Sequence, residues 1–176
     1  MRYGFLFLSF SLLASPVAAQ TNWQNQFAGL DGVALSCLDH SDGGYGGELC
    51  SAYLTVLERE LGAAKVPFVN LGSYRPDGTE PTVPEDFGKA LNVRLFIRGT
   101  AGEQVAIQLR ARASVTYAAA VEAGDDTPGR SGELVIWENA VTGSGPSAPL
   151  RDAISQAIAS RSQTLLENLA EHWPGE

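Results

Sequence analysis

Few side chains in this 176-residue sequence are of types that perform catalysis, and their spacing narrows the field further. The two histidines, His40 and His172, stand far apart, and no GxSxG, HExxH or phosphate-loop GK[ST] segment occurs. The usual nucleophile and metal arrangements of hydrolases and nucleotide enzymes are therefore missing. His172 falls in the last turn of a helical stretch, where a cation complements the helix dipole, and reads as a capping or surface residue. His40 has richer company. Asp39, His40, Asp42 and Glu48 lie on one glycine-rich segment (DHSDGGYGGE), and their oxygen and nitrogen donors could gather a divalent ion. Against that, the spacing does not reproduce an EF-hand, and a loop after a strand is commonly polar through solvation alone. The same glycines suggest a phosphate cradle, but the acidic residues would repel the anion, no lysine follows, and GxGxxG spacing is not met. No cofactor is expected. A metal-dependent binding protein or hydrolase using Asp39, His40, Asp42 and Glu48 stands as the alternative to the reading below.

Arginine supplies the stronger signal. Arg94, Arg98, Arg110 and Arg112 occupy the polar positions of two alternating runs, with Phe96 interleaved on the same side. Guanidinium groups beside an aromatic ring make up many binding hot spots, and the guanidinium fork suits carboxylates. The plainer reading is a solvated sheet face whose arginines meet Glu103, Glu133 or Glu138 across strands. Trp137 could join the binding group, although the pattern leaves its strand face undecided. Overall the chain carries 12 Lys+Arg against 20 Asp+Glu, a net charge of −8. With only Lys65 and Lys89 as lysines, it lacks the positive stripe that nucleic acid requires, and anionic membrane surfaces are disfavoured likewise. The expected partner is a protein with an acidic surface.

Arg2, the apolar run Gly4 to Leu13 and the small residues Pro16-Val17-Ala18-Ala19 predict a secretory signal peptide over residues 1–19. Ser15 and Pro16 interrupt the run too early for a membrane span. The expected product is periplasmic or secreted, where two cysteines read as one structural bridge, Cys37 to Cys50. Their separation is not that of a CxxC redox or metal pair.

Positioning these groups falls to elements marked out by apolar periodicity. Gly32 to Leu38 suits a buried strand. From Glu48, the residues Leu49, Tyr53, Leu57 and Leu61 recur at four-residue steps and predict an amphipathic helix stopped at Gly62. Lys65 to Leu71 returns as a strand that Pro67 limits to an edge or a strand start, and strand, helix, strand implies a right-handed parallel unit. Gly72 to Pro84 is rich in proline and reads as an extended surface connection, followed by two helical turns over Glu85 to Leu91, weakened by Gly88. Val93, Leu95 and Ile97, then Val105 through Tyr117, alternate as half-buried antiparallel strands. A three-residue loop with Gly102 left-handed pairs Ile97 with Val105 and Leu95 with Ile107. After a turn at Gly124 to Gly129 comes a strand from Glu133 to Val141. Ser147, with Pro149 just inside, then begins a helix whose Leu150, Ile154, Ala157, Ile158, Leu165 and Leu169 share one face. The expected fold is α/β (α+β), a single mixed sheet with two main helices on one face in the order β-α-β-(α)-β-β-β-α. Residues 32–173 form that one domain, and 20–31 an N-terminal extension.

Leu91 to Gly99 (LNVRLFIRG), the strand Val105 to Tyr117, and Gly132 to Gly143 (GELVIWENAVTG) before a closing helix form a pattern. It resembles the small envelope domains of the TolB N-terminal region, curli-secretion lipoproteins and lipoprotein activators of penicillin-binding proteins. Those families share a helix, a strand ending in Gly, two strands joined by a tGe turn, and a helix. The likeness spans roughly residues 32–170 and departs from them in lacking a lipidated Cys and in carrying Cys37 and Cys50. It implies a domain that acts by docking partners, so no catalytic residue transfers. The resulting expectation is an exported, non-catalytic accessory or protein-interaction domain of the cell envelope.

Overall fold

Period-two apolar runs become strands and period-four runs become helices in the computed structural model, which describes residues 26–42, 44–119 and 130–174. The signal peptide read over 1–19 and the turn at 124–129 lie outside the described residues. Strands β1 (Gly32–Ser41), β2 (Phe68–Tyr74), β3 (Ala90–Gly99), β4 (Gln104–Ala119) and β5 (Arg130–Pro146) form one mixed sheet in the order β2-β1-β3-β4-β5. β1 runs parallel to both β2 and β3, whereas β4 is antiparallel to β3 and β5. Helices α1 (Gly46–Ala63) and α2 (Ser147–His172) touch each other on one face, α1 over β1 and β2, α2 over β4 and β5. The α/β class and the element order are as expected. Among the described residues no helix is long and apolar enough to cross a membrane.

Burial follows the alternation. Leu35, Leu91, Leu95, Ile97, Ile107 and Leu109 on the strands meet Leu57, Leu61, Ile158, Leu165 and Leu169 on the helices, all fully buried. Small residues, Ala111 and Ala113, lie opposite Leu95 and Val93 on β4 and let α2 come close. One polar contact crosses this apolar layer. Ser162 donates to the Ile158 carbonyl (2.9 Å) and accepts from the Tyr53 hydroxyl (2.7 Å), which ties α1 to α2. The packed body reaches back to Phe27, which is buried against Trp173 (ring centroids 5.8 Å apart), inside the stretch read as an N-terminal extension. Cys37 and Cys50 are bonded (S–S 2.01 Å), fastening β1 to α1.

The two crossovers use opposite faces. β1 reaches β2 through α1. The return from β2 to β3 moves the other way past β1, so a right-handed connection has to cross on the face without helices. Residues 75–89 do so as a strap. Its Glu80 pairs with Arg94, and its Phe87 packs on Gly32 so closely that a Cβ there would overlap the ring. Under this strap the outward-facing Ala34 and Ser36 of β1 are 2% and 5% exposed.

Three local expectations are corrected. The hairpin pairs Ile97 with Leu109 and Leu95 with Ala111, not with Val105 and Ile107. A longer loop is closed by Thr100 N–H to the Ala106 carbonyl and Ala106 N–H to Thr100 Oγ1, both 3.1 Å, with Tyr45 donating to the Thr100 carbonyl (3.2 Å). The shift is four residues, an even number, so every side chain keeps its face and the alternation is blind to it. Instead of two turns over Glu85 to Leu91 there is a single 3-10 turn, Glu85–Phe87. Asp31 and Lys89 exchange hydrogen bonds (3.1 and 2.8 Å) that draw the chain straight into β3. α1 ends not at Gly62 but after Ala63, and the positive φ of 57° falls on Lys65. α2 begins at Ser147 as expected, and the Ser147 N–H donates to the Glu103 carbonyl (3.0 Å).

At the outer edge of the sheet, the Ala140 carbonyl of β5 accepts from Arg161 of α2, and the Ala140 N–H donates to Oδ1 of its neighbour Asn139 (3.0 Å). The opposite edge strand, β2, starts directly after Pro67.

Two stability predictions follow from this core. The Cys37→Ala/Cys50→Ala variant should lose about 3 kcal/mol, because the bridge closes a loop of the unfolded chain across a sequence separation of 13. An unshifted urea midpoint would refute that. Burial raises the Tyr53 phenol from 10.0 to about 12, so the unfolded chain releases this proton first. Stability is therefore full below pH ~10 and falls as pH rises toward ~12, by roughly 1.4 kcal/mol per pH unit from this group. Tyr53→Phe should flatten that alkaline slope in urea unfolding.

Candidate docking face

Register sorts the open face of the sheet into cross-strand rows. His40, Arg98, Gln108 and Thr142 form the row nearest the carboxyl ends of β1 and β3. Below it run Leu38, Phe96, Arg110 and Ala140, then Ser36, Arg94, Arg112 and Glu138. All five residues expected to bind, Arg94, Phe96, Arg98, Arg110 and Arg112, therefore lie together on one face. Trp137 does not join them; it pairs with Ala113 and packs against the core.

The four arginines divide into two kinds. Arg94 and Arg112 stand directly opposite each other, an arrangement of like charges that destabilises a sheet unless acids intervene. Acids intervene on both sides. Arg94 pairs with Glu80 of the strap and reaches Ser36 Oγ (3.4 Å). Arg112 bonds Glu138 (2.7 Å) and sits 3.5 Å from Glu133. With side chains 30% and 24% exposed, these two are half-buried struts. Arg98 and Arg110 have no carboxylate partner among the described residues. The guanidinium of Arg110 lies over Phe96, 4.7 Å from the ring centroid, with those of Arg112 at 5.7 Å and Arg94 at 5.9 Å. Tyr74 adds a second ring beside Arg94 (6.0 Å) and donates weakly to Glu80 (3.4 Å). Burial first, with Glu80 adding to it and Arg94 opposing, raises the Tyr74 phenol above its ordinary value, which keeps this donor protonated.

Phe96, Arg98, Gln108 and Arg110 line a small pocket of about 70 Å³. Above it a shallow groove of about 570 Å³ is bounded by His40, Asp42, Arg98, Gln108 and Thr142. A larger groove of about 890 Å³ lies at the other end of the face, between Leu30, Val83, Phe87, Val115 and Tyr117. Its lining carries a single charged residue, Lys89, so convergent charge singles out the upper site.

The acidic loop is not brought together. Asp39 is buried on the helix side of β1, accepting from Ser41 N–H (2.8 Å) with Arg75 at 3.7 Å. Its carboxylate abuts the first turn of α1, where a Cβ on Gly46 would overlap it, and there it complements the helix dipole. His40 points to the opposite face beside Arg98, Asp42 is exposed, and Glu48 pairs with Arg151 (3.0 Å). Among the described residues no three His, Cys, Asp or Glu side chains gather as metal ligands would. Reasoning from the sequence missed Glu80, Tyr74, Gln108 and Thr142. The signal for the first two was topological, since a right-handed return from β2 has to cross the open face.

The division of the arginines predicts their effects on stability. Arg112→Ala should cost up to about 1 kcal/mol, because it strands two glutamates. Arg98→Ala should stay within about 0.5 kcal/mol of the parent. Equal losses in urea titrations would contradict this division. No protein-family model matches this sequence, and no curated protein or solved structure is significantly similar to it.

Proposed function

We propose that this chain is an exported, non-catalytic interaction domain of the cell envelope, periplasmic or secreted, whose open sheet face docks a protein partner with an acidic surface. The observation that carries this reading is the pair Arg98 and Arg110, cations without a carboxylate partner among the described residues on an otherwise balanced face of a chain with net charge −8. Arginine beside an exposed aromatic edge recurs at interface hot spots. Export is supported by the N-terminal pattern and by the buried Cys37–Cys50 bridge, a bond that persists in oxidising compartments. The resemblance of residues 32–170 to envelope docking domains, read from the sequence, points the same way. Lack of catalysis is read from the sequence, which contains none of the usual nucleophile motifs.

The test is capture of a partner by tagged mature protein from the envelope extract of its source organism, beside Arg98→Glu/Arg110→Glu. A discrete partner should be retained by the parent, lost from the double variant, and released progressively as salt is raised. Arg98 and Arg110 are chosen because reversing Arg112 would also break internal ion pairs. Equal retention by both proteins, with circular dichroism showing both folded, would remove the docking reading.

A further inference from the structure

We propose that Phe96, Arg98, Gln108 and Arg110 form a seat for a single carboxylate, the side chain of one Asp or Glu presented by the partner. The inference rests on the docking reading and narrows it from a charged face to one pocket and one functional group.

Geometry supplies the donors. Arg98 opposes Gln108 and Phe96 opposes Arg110, so the two unpaired guanidinium groups sit diagonally across the β3–β4 ladder with Phe96 and Gln108 at the other two corners. Stacking on Phe96 at 4.7 Å occupies a face of the Arg110 guanidinium and leaves its in-plane N–H donors free. Gln108 adds an amide able to donate as well. The aromatic floor keeps water from one side of the pocket, which strengthens charge-assisted hydrogen bonds made there.

Size and surroundings choose the ligand. About 70 Å³ has room for a carboxylate and its first methylene, on the scale where one water needs about 10–15 Å³. Asp42 stands at the groove just above, beside Arg98, and disfavours a doubly charged anion relative to a singly charged one. Arg94 and Arg112 are excluded from the seat because Glu80, Glu133 and Glu138 already occupy them.

The test follows the arginine Nε–Hε signals by NMR in the full mature protein, titrated with a blocked peptide bearing one Glu, its Gln counterpart, acetate and inorganic phosphate. The Glu peptide should shift Arg98 and Arg110 while leaving Arg94 and Arg112 in place. The Gln peptide should bind at least about tenfold more weakly, the scale of one charge-assisted hydrogen bond. Arg98→Gln and Arg110→Gln should each abolish that difference, whereas Arg112→Gln should keep it. The seat is overturned if no arginine signal moves at millimolar Glu peptide, if all four move alike, or if phosphate binds more tightly than the peptide. Acetate binding as tightly as the peptide overturns the partner side chain as its occupant. Undiminished capture of the partner by Arg98→Gln/Arg110→Gln, with capture still lost from Arg98→Glu/Arg110→Glu, overturns the seat while the docking reading survives. Absence of capture by the parent protein, with the Glu peptide still moving both arginines, overturns the docking reading and leaves the carboxylate seat supported.

Discussion

β1 has a parallel neighbour on each edge and a cover on each face, and the rest of the molecule is arranged around meeting those four demands. A right-handed crossover satisfies one edge with α1 on one face, and the return crossover must then satisfy the other edge from the opposite face. One strand thus obliges the chain to supply both a helix and a strap. The Cys37–Cys50 bridge fixes the first of these covers covalently, and the Glu80–Arg94 pair fixes the second electrostatically. Asp39, at the end of the same strand, holds the entry to α1 by placing a carboxylate at the helix's positive end.

The open face shows a related economy of charge. Arg94 and Arg112 meet head-on across β3 and β4, and without acids they would push the central hairpin apart. Glu80 comes from the strap on one side and Glu138 from β5 on the other, so the compensation draws on both flanks of the sheet. Arg98 and Arg110 lie beyond the reach of these acids. Their charge is left to solvent, and the half-buried Phe96 lies under the Arg110 guanidinium.

Much of this arrangement is legible in the residues themselves. Alternation over Val93–Ile97 and Val105–Ala113 identifies the faces correctly, because side-chain direction survives any even shift of register. The register itself depends on the Thr100–Ala106 closure and on Tyr45, which comes from the far end of α1's approach and leaves no periodic trace. The four arginines are recognisable as one face for the same reason the strands are. Which two of them are neutralised is not recognisable, since Glu80 sits in a proline-rich stretch without apolar period and reaches Arg94 only through the handedness of the crossover. Ser162 is the converse case. A hydroxyl at a core position of the last helix looks like an interruption of the Ile154, Ile158, Leu165 stripe, and only the facing Tyr53 explains it.

The side-chain bonds at Ala140 carry a meaning beyond their own small energies. A strand edge with free N–H and C=O groups can be extended by another strand, and that one by another, without any natural limit. Arg161 and Asn139 interrupt this template at the middle of β5, and Pro67 guards the start of β2. Growth of the sheet is thereby discouraged at both ends. A contact through a face, by contrast, has finite stoichiometry, and its product would be a complex rather than a polymer.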